Sequence, residues 1–239
     1  KVYAMKFIQI DKEKWGDGLK KAAVSYRLFG PLKEDKFHNF KELDKNELPD
    51  FGYLNSRLSP KSIIYPQSEV MFEYSLDESA EDHHIMKEVD KDYSPRAVIG
   101  IRPCDAKAFV LVNHNFDTPE YKDPYWIKAC EATTLVGLAC DAPCSSCFCT
   151  TAGCGPYHEE GLDVLLVDGA DHYLAKILTE KGQKLADAAG WETTAAADAA
   201  SQIETGQQEA EAKINAFVNT DKLKEIDTNE VYKAPFWED

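Results

Sequence analysis

Cysteine is absent from the first hundred residues of this 239-residue chain, and five of its seven cysteines then fall between residues 140 and 154. Other absences narrow the field. No uninterrupted apolar run approaches the roughly 20 residues of a membrane-spanning helix. Lys1 to Ile10 has neither a long apolar stretch nor a small-residue cleavage site, so it does not read as a signal peptide. A basic stripe is missing as well: 27 Lys and Arg are scattered among 42 Asp and Glu, a formal charge of −15, which argues against nucleic acid as a partner. There is no dinucleotide-binding glycine fingerprint, no P-loop, no H-E-x-x-H and no serine elbow. His38, His83, His84, His114 and His172 are dispersed and read as ordinary surface or core residues. His158 alone lies near enough to the cysteines to stand as an outside candidate.

What is present suffices for a packed core, since 44% of the residues are hydrophobic. The pattern predicts an α/β (or α+β) fold: a mixed sheet with a parallel βαβ unit, a cysteine-rich loop at the strand C-terminal ends, and a helical C-terminal part. Three portions are expected within one compact domain: 1–95, 96–171 and 172–239. In the first, Val2 to Ile10 reads as a strand and Trp15 to Tyr26 as a helix. Gly30-Pro31 reads as a break before the charged stretch Lys33 to Asp50, and Ser62 to Tyr74 as β-rich with Pro66 inside it. Asp77 to Asp92 is charged and reads as a solvated helix or loop.

The middle portion is the best organised. Arg96 to Ile101 and Thr133 to Ala139 are apolar runs of strand length, Asp105 to Phe116 has helical spacing, and Leu162 to Val167 reads as a third strand. Strand, helix, strand in that order points to parallel neighbours. Cys104 and Cys140 each follow a strand, so neighbouring strands would put both thiols on one rim of the sheet. Cys104 would also stand at a helix N-terminus, whose dipole favours a thiolate. Beyond, His172 to Ala189 has a helical pattern closed by Gly190, and Thr193 to Ala212 reads as an exposed helix. Val231 to Asp239 returns to aromatics with Tyr232, Phe236 and Trp237.

A disulfide framework spreads an even number of cysteines through a small secreted chain. An odd, clustered set reads instead as metal binding or redox chemistry in a reducing compartment, hence the cytoplasm. The run Cys140-x3-Cys144-x2-Cys147-x-Cys149-x4-Cys154 sits among Pro143, Gly153, Gly155 and Pro156, which let the backbone wrap a bound group. An iron–sulfur cluster, which usually takes four thiolates, ranks first. Structural zinc ranks second, and a metal-free thiol site using Cys147 and Cys149 third. Cys130 reads as a buried core thiol, which leaves six candidates for four places. Arg102 would tune the charge of a cluster or pair with an acid, and Asp105 and Asp141 would lower a cluster's potential.

The order Arg102-Pro103-Cys104-Asp105, Asp123 to Trp126, a Gly-Leu-Ala-Cys140 strand end, Cys147-Phe148-Cys149, then Gly161 to Leu174 resembles a known family. It is similar to the N-terminal domain of iron–sulfur electron-transfer subunits related to the β subunits of sulfhydrogenases and the A-type subunits of anaerobic sulfite reductases. Ser59-Pro60-Lys61 and Ala234 to Asp239 extend the match. The resemblance implies one [4Fe-4S] cluster held by Cys104, Cys140, Cys147 and Cys149, with Cys144 and Cys154 as reserves peculiar to this sequence. It implies conduction rather than catalysis, in an anaerobic complex with flavin- or cluster-containing subunits. In that family a ferredoxin-like segment follows a stretch such as Phe236-Trp237. No C-x2-C-x2-C-x3-C-P run is present here, so either that domain is expected beyond residue 239 or this is a stand-alone version.

Overall fold

The computed structural model describes residues 6–145, 147–192, 198–214 and 225–237. Its centre is a seven-stranded mixed sheet. In chain order the strands are β1 (Lys6–Asp11), β2 (Arg27–Glu34), β3 (Phe37–Glu42), β6 (Arg96–Ile101), β7 (Thr133–Leu138), β8 (Val164–Asp168) and β9 (His172–Ile177). A separate two-stranded ribbon pairs β4 (Phe72–Glu73) with β5 (Lys87–Glu88). The order across the sheet is β1-β9-β8-β7-β6-β2-β3, with β2, β6, β7 and β8 mutually parallel and β1, β9 and β3 joined by antiparallel pairing. The α/β fold and the parallel unit predicted above are therefore present, and the one sheet draws strands from all three portions of the chain.

Every residue of β6 and β7 is buried, because helices cover both faces of the sheet centre. This explains their continuous apolar runs, in contrast to the alternation of a half-solvated strand. On one face α1 (Lys12–Ala22) and α4 (Glu180–Ala189) pack on Ile8, Ile99, Val136 and Leu166. On the other, α2 (Pro103–Phe116), α3 (Pro124–Ala132) and α5 (Ala199–Ala212) cover Val98, Ile101, Leu135 and Leu165. Burying each of these aliphatic side chains stabilises the fold by roughly 1.5–3 kcal/mol. A short helix, α6 (Thr228–Tyr232), comes last, and the exposed Tyr232, Phe236 and Trp237 lie in and after it. Among the described residues, no helix is long and apolar enough to cross a membrane.

Four expectations need correction. Gly30-Pro31 lies inside β2. The Pro31 nitrogen faces the β6 side, where pairing has already ended at Phe29, and its carbonyl accepts from the Asp50 N–H at 2.8 Å, so the missing donor breaks no ladder bond. Lys33 to Asp50 correspondingly holds the end of β2 and all of β3. Ser62 to Tyr74 contains only a 3-10 turn (Pro60–Ile63) running into it and the two residues of β4. His172 to Ala189 is a strand followed by a helix, and Thr179 marks the change by capping α4 with its hydroxyl on the Gly182 N–H. Finally, α5 buries Ala199, Ile203 and Ala210, so it is a packed helix. Residues 1–5, 193–197, 238 and 239 of the predicted segments lie outside the described residues.

Candidate metal centre

The site is built where β6 and β7 end. In β6 the ladder slips between Ile99 and Ile101, leaving Gly100 as a bulge with φ +88°. A side chain there would meet the Phe51 ring at 2.7 Å as well as the φ penalty, so the position needs glycine. The bulge changes the strand's parity. Ala97 and Ile99 face the α1/α4 core, whereas Ile101 joins Val98 on the α2 side. Arg102 then leaves the strand as the N-cap of α2, with Pro103 as its first residue and Cys104 in its first turn.

Cys140 lies just past the end of β7, and its N–H donates to the Pro156 carbonyl at 3.0 Å, which pins the two ends of the cysteine loop together. Within the loop, Cys147 N–H donates to Cys144 O at 3.1 Å and Cys154 N–H to Cys149 O at 2.9 Å, so tight turns fold the thiols back on one another. As a result, Cys104, Cys140, Cys144, Cys147, Cys149 and Cys154 all line one cavity of about 340 Å³. Its other walls are mainly apolar, with Leu54, Leu111, Pro143, Phe148 and Pro156 among them, and among the described residues no carboxylate or imidazole lines it. Cys130 stands apart, half-buried against the α2-side core. His158 sits outside the cavity, with its Nε2 3.2 Å from Glu160.

None of the seven cysteines is in a disulfide. The closest approach is Cys144 Sγ to Cys147 Sγ, 3.1 Å, and the Asn55 amide donates to Cys144 Sγ at 3.5 Å. Among the described residues, no three His, Cys, Asp or Glu side chains meet as a group that would hold a single ion. The thiols surround a space and do not converge on a point.

Burial pushes every thiol of the cavity that shows a shift upward. Cys104 reaches about 12, through desolvation by the cavity walls and then the Asp105 charge, even though part of its surface is exposed. Burial and the neighbouring Cys144 thiol take Cys147 to about 11. Cys140, Cys149 and Cys154 rise for the same first reason. The expected helix-end thiolate at Cys104 is thus overridden by desolvation and a like charge. Asp105 is itself raised by burial, with the Ser59 hydroxyl 3.4 Å away opposing the shift.

Among the described residues, Arg102 pairs with no acid. Its Nη1 donates to Ala139 O at 3.1 Å, next to Cys140, and its Nη2 donates to Tyr53 O. The guanidinium lies 4.6 Å over the Tyr53 ring, and its buried Nε has no partner among the described residues. It therefore ties both strand ends to the Tyr53 segment while facing the thiols.

Several contributors escaped the sequence reading. Tyr53 and Asn55 come from a loop some fifty residues upstream, with no local signal of their role. Tyr157 donates its hydroxyl to Asp141, and Lys213 Nζ reaches Asp141 O at 3.0 Å. Gly206 of α5 sits so close that a Cβ there would lie 2.6 Å from the Tyr157 hydroxyl. The small-residue texture of α5 was the visible signal, for it permits this approach.

The chain is 22% identical over 180 residues to sulfhydrogenase 2 subunit beta of Pyrococcus furiosus, a distant similarity covering 75% of this chain and 51% of that subunit. The chain thus spans about half the length of the curated relative it matches. No family profile matches it, and no solved structure matches it either.

Proposed function

We propose that this chain is an iron–sulfur electron-transfer domain of an oxidoreductase complex, holding one [4Fe-4S] cluster on Cys104, Cys140, Cys147 and Cys149. The observation that carries the reading is the gathering of six thiols around one largely apolar cavity that no carboxylate lines among the described residues. Such a donor set fits soft-metal and iron–sulfur binding. Thiols spread around a space suit a multi-iron group with one ligand on each iron better than a single tetrahedral zinc, whose four sulfurs must meet at one point.

When bound, the cluster supplies a reservoir for single electrons. The chain's own residues do the rest. Leu54, Leu111 and Phe148, themselves largely exposed, supply apolar lining beside the sulfurs. Arg102 sets a positive charge against the thiolates. The raised thiols stay protonated until metal arrives, so loading releases protons to solvent.

The relative's name, a sulfhydrogenase β subunit, supports a place in a hydrogenase-type complex of several subunits; flavin- or cluster-containing partners are part of the same proposal.

The test is iron, acid-labile sulfide and zinc per chain on protein purified without oxygen. About four iron and four sulfide are expected, and Cys147→Ser should lose both with its visible absorption. One zinc and no sulfide would overturn the reading, and undiminished iron in Cys147→Ser would overturn the ligand assignment.

A further inference from the structure

We propose that Cys144 and Cys147 form a thiol–disulfide couple, a covalent redox site that shares Cys147 with the four-cysteine set proposed above. Cys144-Ser-Ser-Cys147 has the C-x-x-C spacing that recurs in redox-active dithiols, and the structure brings its ends together. The turn is closed by Cys147 N–H on Cys144 O at 3.1 Å. The reverse bond runs from Cys144 N–H to Cys147 Sγ, also at 3.1 Å. The two sulfurs stand 3.1 Å apart, about 1 Å beyond a bonded S–S distance. A small closing of the turn therefore makes the bond. The pairing differs from that of the third-ranked sequence reading, in which Cys147 partners Cys149.

Both sulfurs carry a donor, Cys147 from the Cys144 N–H and Cys144 from the Asn55 amide. The thiolate is the attacking species in exchange. With a small disulfide such as oxidised glutathione as oxidant, the Cys147 thiolate attacks one of its sulfurs. That S–S bond breaks and one glutathione thiolate leaves. Cys144 then attacks the Cys147 sulfur of the mixed disulfide and displaces the second glutathione. Two cysteine thiols are oxidised, one glutathione disulfide is reduced to two thiols, and the two cysteine protons end on the released glutathiones.

The couple itself does not depend on the cluster. Its consequence does rest on the electron-transfer reading: if Cys147 ligates iron, disulfide and cluster exclude each other, and loss of the cluster under oxidation is followed by a reversible covalent state of the loop.

The experiment uses the full chain stripped of metal by a chelator, treated with oxidised glutathione, alkylated and mapped by mass spectrometry. Two of the seven thiols should disappear into a disulfide inside the peptide carrying residues 144–147, and dithiothreitol should restore both. Cys144→Ser should form no intramolecular disulfide and should carry at most a glutathione on Cys147. Seven alkylated thiols after oxidation, a bond mapped to another pair such as Cys147 and Cys149, or a two-thiol loss that survives in Cys144→Ser would each overturn the proposal. The result is independent of the iron and sulfide analysis, so either reading can fail alone.

Discussion

The two ends of β6 and β7 solve opposite problems with similar residues. Arg96 opens β6 and Arg102 follows its last residue. Each gives its terminal nitrogens to two backbone carbonyls, and each leaves a buried Nε without a partner among the described residues. At the Arg96 end the polar groups nearby are spent on bracing. Asp163 accepts from Leu135 N–H at 2.8 Å and from the Thr179 hydroxyl, while Lys181 Nζ donates to Thr133 O at 2.6 Å. At the Arg102 end the strands run out into a loop whose turns close on themselves and bring six sulfurs to one cavity. The same sheet thus carries one rim that holds it together and one kept available for a ligand.

Breaking the braced rim should have the largest effect. Asp163 is 4% exposed, and Asp163→Ala would strand the Leu135 N–H inside the sheet and remove the acid 3.4 Å from Lys181. A loss of about 3 kcal/mol is expected, discounted because Lys181 is partly solvated. Urea unfolding of metal-loaded and metal-free protein should show the same loss in both. A loss confined to the loaded form would mean that the braced rim serves the cysteine site, and the contrast drawn above would fail.

A smaller effect is expected where α5 supports the other rim. Gly206→Val would push the Tyr157 ring away and break its bond to Asp141, beside Cys140. Overpacking of this kind costs about 1–3 kcal/mol. Because Tyr157 lies on the cysteine loop, the variant should also release iron to a chelator faster than the parent chain, whereas Asp163→Ala should not. Equal release rates in the two variants would erase the distinction between the rims.

This division also sorts what the sequence reveals. β6, β7, β8 and α2 are legible because each is a run long enough to show its period and is buried on the faces that period implies. The clustering of thiols at two strand ends is legible for the same reason, since it needs only strand adjacency. β9 is hidden because Tyr173, Leu174 and Ile177 also suit a helical stripe that continues into α4, and only Thr179 separates the two. β2 is hidden by Gly30-Pro31, acceptable there only because β6 has stopped pairing, a fact of tertiary register. The Arg102 bonds to carbonyls and the reach of Asn55 depend on a bulge at Gly100 and on a loop far upstream, and neither leaves a local pattern, whereas the contact of Cys144 with Cys147 follows their C-x-x-C spacing.

The smallest effect, and the sharpest in form, concerns the charge at the braced rim. Arg27, in register with Arg96, grips Glu42 through two bonds of 2.8 and 2.6 Å and reaches Asp92 at 2.6 Å. The guanidinium holds Glu42 below its ordinary range, against the opposing effect of burial. A depressed carboxylate contributes stability that is complete above its unfolded pKa, near 4.5, and is lost as pH falls through the lower folded value. Arg27→Gln should therefore cost up to about 1 kcal/mol at pH 7, a modest figure because both partners are partly exposed. The gap to the parent chain should narrow as pH falls below about 4. Urea midpoints measured from pH 7 down to the acid limb would show it. Arg27 also lies 5.4 Å over the Phe29 ring, so a gap that stays constant into acid would assign its role to packing on that ring and leave the bracing of this rim without an electrostatic part.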